Sequence, residues 1–193
     1  GSGRLIATVF RNQLIAEAVM DLLTNRDGLI LGIGDGFHAL LRLGLVPYGQ
    51  IRTVDEDSPN LVDHPLGSPV SKLVRTKVVS DLSPWFNKVE VGTVFTLPVS
   101  HREGRFVAAP RMLKEMIERG QIATQYVDFN GNPSYDGDFN PYGSLEAIEA
   151  ITSPDGRVLG KMAHSERIGK DLYKNAHGEG DQKIFEAGIN YFL

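Results

Sequence analysis

The sequence contains no cysteine. That excludes disulfides, thiolate metal sites and thiol catalysis by this chain. It also lacks a block of basic residues, and its formal net charge is -4. Nothing in that charge favours nucleic acid as a partner. No apolar run is long enough to span a bilayer. The opening "GSGRLIATVF" lacks the charged-then-apolar build of a signal peptide. Repeats, low-complexity tracts and linkers are absent too. What is present is 193 residues of which 41% are hydrophobic, enough for one domain with a sizeable core.

Periodicity predicts the elements. "TVFRNQLIAEAVMDLLTNRDG" reads as one amphipathic helix, with Phe10, Leu14, Ala18 and Leu22 on a stripe flanked by Ile15, Val19 and Leu23. Asp27-Gly28 ends it. "GLILGI" suits a short buried parallel strand. Phe37, Leu40 and Leu41 fit a short helix closed by Gly44. Residues 52–69 are polar and read as a loop. "SKLVRTKVVSD" and "GTVFTLPVSHREG" read as strands, the second ending near His101. "PRMLKEMIERG" is a helix opened by Pro110 and closed by Gly120. "IATQYVDF" is a strand, and "NGNPSYDGDFNPYGS" is a turn-rich loop. "LEAIEAITSPDGRVLGKMAHSER" gives two strands around a "SPDG" turn, and "DQKIFEAGINYF" a closing helix. The pattern predicts an α/β fold with a parallel core and an antiparallel extension. The strand "GLILGI" comes early, directly after the first helix. Such strands are usually central, so neighbours are expected upstream of residue 1, and the chain reads as a fragment of a longer polypeptide.

Two constellations carry chemistry. "LILGIGDGFHAL" places Gly32, Gly34 and Gly36 in the frame G-x-Nuc-x-G of a nucleophile elbow, with Gly34 at the nucleophile's position. As a phosphate loop it fails: no Lys-Ser or Lys-Thr follows Gly36, and G-x-G-x-x-G is not met. Taken alone, the stretch reads as a plain glycine turn between strand and helix. The second is "AHSER". Alternation puts His164 and Glu166 on one side of an extended chain, and a carboxylate that orients a histidine is the back half of a triad. A polar surface loop accounts for the same spacing. "SHREGRF" reads as a surface turn with a charged face. His38 reads as a ligand contact or an exposed helix residue. "DEDSPNLVDH" has acids but no metal-ligand spacing, and Trp85 reads as a packing anchor. Ser165 lies between His and Glu and lacks the strained turn that exposes a nucleophile.

In their order along the chain, "DGLILGIGDGFHALLRLGLVPYG", "HREGRF", "QYVDFNGNP", "NPYGS", "AITSPDGRVLGKMAHSER" and "IFEAGINYF" resemble the glutamine amidotransferase domain of phosphoribosylformylglycinamidine synthase. The resemblance covers essentially the whole chain as a single domain, residues 1–193. The opening "GSGRLIATVFRN" resembles the interior of that domain, in keeping with a fragment that lacks the first strands. The resemblance implies a class I, flavodoxin-like open sheet and a triad-type glutaminase. A cysteine at the elbow attacks the glutamine carboxamide, a histidine moves protons, and a glutamate orients it. Ammonia then passes to a synthetase domain, where ATP activates the formamide oxygen of formylglycinamide ribonucleotide and ammonia displaces it.

On this sequence His164 matches the histidine and Glu166 the glutamate, while Gly34 stands at the cysteine's place. The family reads Gly-Ile/Val-Cys-Asn-Gly, then an aromatic or Cys, then Gln. Here Gly34, Asp35 and His38 all depart, and the latter two alter the substrate pocket. The backbone N–H of Asp35 remains as one oxyanion donor. The implied partners are glutamine and the synthetase domain, in the cytoplasm, with ATP and magnesium belonging to the synthetase and no cofactor or metal in this domain. A glutaminase domain silenced at its nucleophile is one reading. A non-catalytic module that keeps the fold for docking or ligand binding is the other.

Overall fold

One parallel strand pair positions everything that follows. The computed structural model describes residues 2–63, 69–169, 172–173 and 176–193. Helices α1 (Ser2–Phe10) and α2 (Gln13–Thr24) lead into strand β1 (Ile30–Ile33), helix α3 (Asp35–Leu43) and the short α4 (Leu45–Tyr48). Then come β2 (Asn60–Asp63), β3 (Val70–Val78), β4 (Val94–His101), β5 (Glu103–Val107) and α5 (Pro110–Glu118). The chain closes with β6 (Ile122–Tyr126), β7 (Ile148–Thr152), β8 (Val158–Lys161) and α6 (Ile184–Asn190).

Six strands form one sheet in the order β1-β8-β7-β6-β3-β4, and β2 pairs with β5 apart from it. β1 and β8 run parallel, with Ile30 opposite Val158 and Ile33 opposite Lys161. The other pairings are antiparallel. The parallel portion of the expected core is therefore this single pair. It brings the C-terminal ends of two strands distant in sequence to one edge of the fold, where open α/β sheets place their sites.

Alternation along the central strands sorts side chains onto two faces. Val158, Ile151 and Met162 join the core under α3 with Phe37, Leu40, Leu41 and Phe106. Leu159, Ala150 and Ala163 join the opposite core with Phe95, Leu97, Tyr126 and Ile184. Every residue of β7 and β8 is buried, which explains their near-continuous apolar character. Ser153 closes the hairpin between them: its hydroxyl donates to Asp155 Oδ1 at 2.6 Å and accepts from the Val158 N–H at 3.0 Å.

Helix α3 ends as expected. Gly44 adopts φ 83°, and its N–H reaches back to the carbonyls of Leu40 and Leu41. Trp85 anchors as expected too. Its indole N–H donates to the Arg157 carbonyl at 3.1 Å, and its ring lies against α6 so closely that a Cβ on Gly188 would stand 2.4 Å from Cζ3.

Three expectations need correction. The single helix predicted over residues 8–28 is two helices. The Asn12 side chain accepts from the Leu14 N–H and caps α2, so a new helix begins where the stripe implied continuity. The stripe itself is not the buried face: Leu14 is 77% exposed and Leu23 is buried. Second, the loop predicted over 52–69 contains β2, a strand of four residues that is too short for periodicity to reveal. Within that loop Asp55 is a turn residue that accepts from the Ser58 hydroxyl at 2.8 Å, and His64 lies outside the described residues. Third, "SHREGRF" is no surface turn. Glu103–Val107 forms β5, antiparallel to β2.

Candidate active site

The elbow is built on glycines whose missing side chains allow a close approach of helix and strands. Gly32 on β1 and Gly160 on β8 face each other in register. A Cβ on Gly32 would stand 2.7 Å from the carbonyl carbon and oxygen of Gly36. A Cβ on Gly160 would stand 2.2 Å from the Phe37 ring. Both distances are inside hard contact, so the glycine pair lets α3 sink onto the two parallel strands. Between strand and helix, Gly34 takes φ 57° and ψ -111°, a conformation that L side chains rarely adopt. Its N–H donates to the Lys161 carbonyl at 2.9 Å, and its carbonyl accepts from the His38 N–H at 3.2 Å. The turn is thus pinned to β8 on one side and to α3 on the other.

His164 follows β8 by three residues and reaches the same edge. Its N–H donates to the Pro98 carbonyl at 2.9 Å. The ring Nδ1 lies 2.6 Å from Glu166 Oε1. With the proton on Nδ1, the carboxylate accepts it, and Nε2 is left with its lone pair free. That Nε2 is buried and has no hydrogen-bonding partner among the described residues. A buried nitrogen without a partner costs free energy, and here it is the atom a general base would use.

A buried ion pair shapes the segment that delivers His164. Lys161 and Glu149 are both fully buried and 3.5 Å apart. Glu149 Oε1 accepts from the N–H groups of Met162 at 2.9 Å and Ala163 at 2.6 Å. Its Oε2 accepts from the Thr124 hydroxyl. Lys161 Nζ donates to the Ala163 carbonyl at 2.6 Å. Burial pushes the Lys161 ammonium down from its ordinary range, and the Glu149 carboxylate opposes that shift. Sequence reading passed over both residues. The available signal was a lysine and a glutamate inside otherwise apolar strands.

His101 is the larger omission. It ends β4, and its ring stacks on His164 with centroids 4.7 Å apart and planes inclined by 21°. Its Nε2 lies 3.2 Å from the Met162 carbonyl and donates to it. A Cβ on Gly34 would stand 2.4 Å from His101 Cε1. Burial lowers the His101 pKa, and the neighbouring His164 lowers it further.

The other candidates are placed as follows. Asp35 is exposed and accepts from the Ser2 hydroxyl. His38 is buried, not exposed. Its Nδ1 pairs with Glu103 Oε2 at 2.9 Å, and its Nε2 accepts from Arg42 Nε at 3.0 Å, so both ring nitrogens are engaged. Burial is the main cause of its lowered pKa, followed by the Arg42 charge. The Ser165 hydroxyl is committed to Gln182 Oε1 at 2.6 Å. Among the described residues no group of three or more His, Cys, Asp or Glu is arranged to hold a metal ion, and no helix is long and apolar enough to cross a membrane.

A glycine elbow at the end of one parallel strand stands beside a His–Glu pair that follows the next. The chain belongs to the family of CobB/CobQ-like glutamine amidotransferase domains, which matches residues 1–192. It is similar to the protein named phosphoribosylformylglycinamidine synthase subunit PurQ of Aquifex aeolicus, with 31% identity over 85% of this chain and 66% of that one. It is 34% identical to the subunit of the same name in Synechocystis, over 85% of this chain and 67% of that one. Among solved structures it matches the structure of PurLQS from Thermotoga maritima with a TM-score of 0.69 and 25% identity, covering 97% of this chain and 72% of that one. The chain thus spans about two thirds of the length of these curated relatives. The resemblance to the amidotransferase domain of phosphoribosylformylglycinamidine synthase stands, as does the membership of an amidotransferase enzyme family.

Proposed function

We propose that this chain is the glutaminase module of a phosphoribosylformylglycinamidine synthase whose own glutamine hydrolysis is silent. The observation that carries the reading is the His164–Glu166 pair, assembled beside an elbow whose turning residue is Gly34. In the active form of such a site, a side-chain nucleophile attacks the carboxamide carbon while the imidazole Nε2 takes its proton. The imidazole then returns the proton to the departing ammonia. His164 is oriented for that proton transfer. Gly34 supplies no atom to attack. The Asp35 N–H, at the first turn of α3, is one of the donors that a helix start leaves free for an oxyanion.

Loss of the nucleophile alone lowers kcat on the order of a millionfold in a serine protease. Glutamine hydrolysis by this chain is therefore negligible, and the module's remaining role is to dock on a synthetase domain that draws ammonia from solution. ATP and magnesium belong to that synthetase. The test pairs the chain with a synthetase of this enzyme class and measures amidine formation. Product from ammonium salts but not from glutamine is the expected result. Equal rates from both nitrogen sources would refute silence. Absence of any complex would refute the docking role.

A further inference from the structure

The space that any side chain at position 34 must enter is already taken. We propose that His101 closes this elbow: its imidazole occupies the volume of the missing nucleophile and covers the free nitrogen of His164. The inference rests on the reading of the elbow as a glutaminase centre, and it adds a second determinant of silence that lies elsewhere in the chain.

Three observations support it. A Cβ on Gly34 would meet His101 Cε1 at 2.4 Å, Nε2 at 3.0 Å and Nδ1 at 3.3 Å. The whole front of the ring therefore faces the elbow, not one stray atom. The ring also stacks on His164 with centroids 4.7 Å apart, and the His164 Nε2 is buried with no hydrogen-bonding partner among the described residues. Finally, the ring is held there by its 3.2 Å contact with the Met162 carbonyl, two residues before His164. The charged groups that act on it electrostatically are His164, Asp35 and Arg167, and its hydrogen-bond partner is that carbonyl. A cysteine introduced at position 34 must expel this ring before its sulfur can reach His164.

The absence of native cysteine makes the test clean, because an introduced thiol is the only one in the chain. Gly34→Cys and the double variant Gly34→Cys, His101→Ala are compared by the pH dependence of iodoacetamide alkylation. In the double variant the thiol meets His164 and reacts as a thiolate well below its ordinary pKa of about 8.5. Its alkylation at pH 6.5 is then at least roughly tenfold faster than in the single variant.

Equal acid-shifted rates in both variants would overturn the role of His101 and leave the glutaminase reading intact. An ordinary thiol in both would overturn the elbow reading and this proposal with it. A second measurement needs no cysteine. Diethylpyrocarbonate modification of His164, mapped by mass spectrometry, is slow in the native chain and faster in His101→Ala. Unchanged modification of His164 in that variant would overturn the proposal.

Discussion

Gly32 and Gly160 face each other across the two parallel strands, and neither position has room for a methyl group. The obstacles differ in kind. At Gly32 the obstacles are Leu40 Cδ1 at 2.6 Å and the backbone of Gly36 at 2.7 Å from the Cβ position, whereas at Gly160 the obstacle is the Phe37 ring alone, at 2.2 Å. A ring can turn and a backbone must translate. Gly160→Ala is expected to cost about 1–3 kcal/mol, the usual range for overpacking, and Gly32→Ala to cost more. Urea denaturation measures both. A Gly32→Ala chain as stable as the native one would show that α3 does not rest on β1 this closely.

The Lys161–Glu149 pair makes a second prediction. Replacing Lys161 by Met leaves a fully buried carboxylate without its counter-charge, which costs about 3–5 kcal/mol. Glu149→Leu does the same to the ammonium and also strips the acceptor from the Met162 and Ala163 N–H groups. The double variant is expected to be less destabilised than the sum of the singles, because no unpaired charge remains. Additive losses in a double-mutant cycle would mean that the two side chains do not act as a pair.

Stability should depend on pH through two histidines. The pKa values of His38 and His101 are both lowered from 6.5 in the folded chain, chiefly by burial. The unfolded chain therefore binds protons first as pH falls. The stability these groups contribute is complete above 6.5 and is lost as pH falls from there toward the folded values. Melting temperatures measured from pH 7.5 to pH 5 are expected to decline, and His38→Gln or His101→Gln should each flatten the decline. A flat profile in the native chain would contradict the burial of both rings.

The sequence made some of this site legible and hid the rest for physical reasons. Gly34, His164 and Glu166 could be read because an elbow has a local glycine frame and an H-x-E pair is close in the chain. Gly44 could be read because a helix stop is local. His101 could not, because its position over Gly34 depends on β4 and on the segment after β8, which are brought together only through the strand order and the contact of Pro98 with His164. β2 and β5 escaped notice because four or five residues carry too little alternation. The stripe on α2 misled because it marks an amphipathic helix without fixing which residues are covered, and Asn12 starts a new helix after Phe10.

We propose that this chain holds the proton-transfer half of a glutaminase and lacks the attacking half. Glutamate release from glutamine by the purified native chain tests it most directly. No release above the buffer rate is expected. Turnover at ordinary enzyme rates, about 1–1,000 per second, would contradict it and require a nucleophile other than a side chain at position 34.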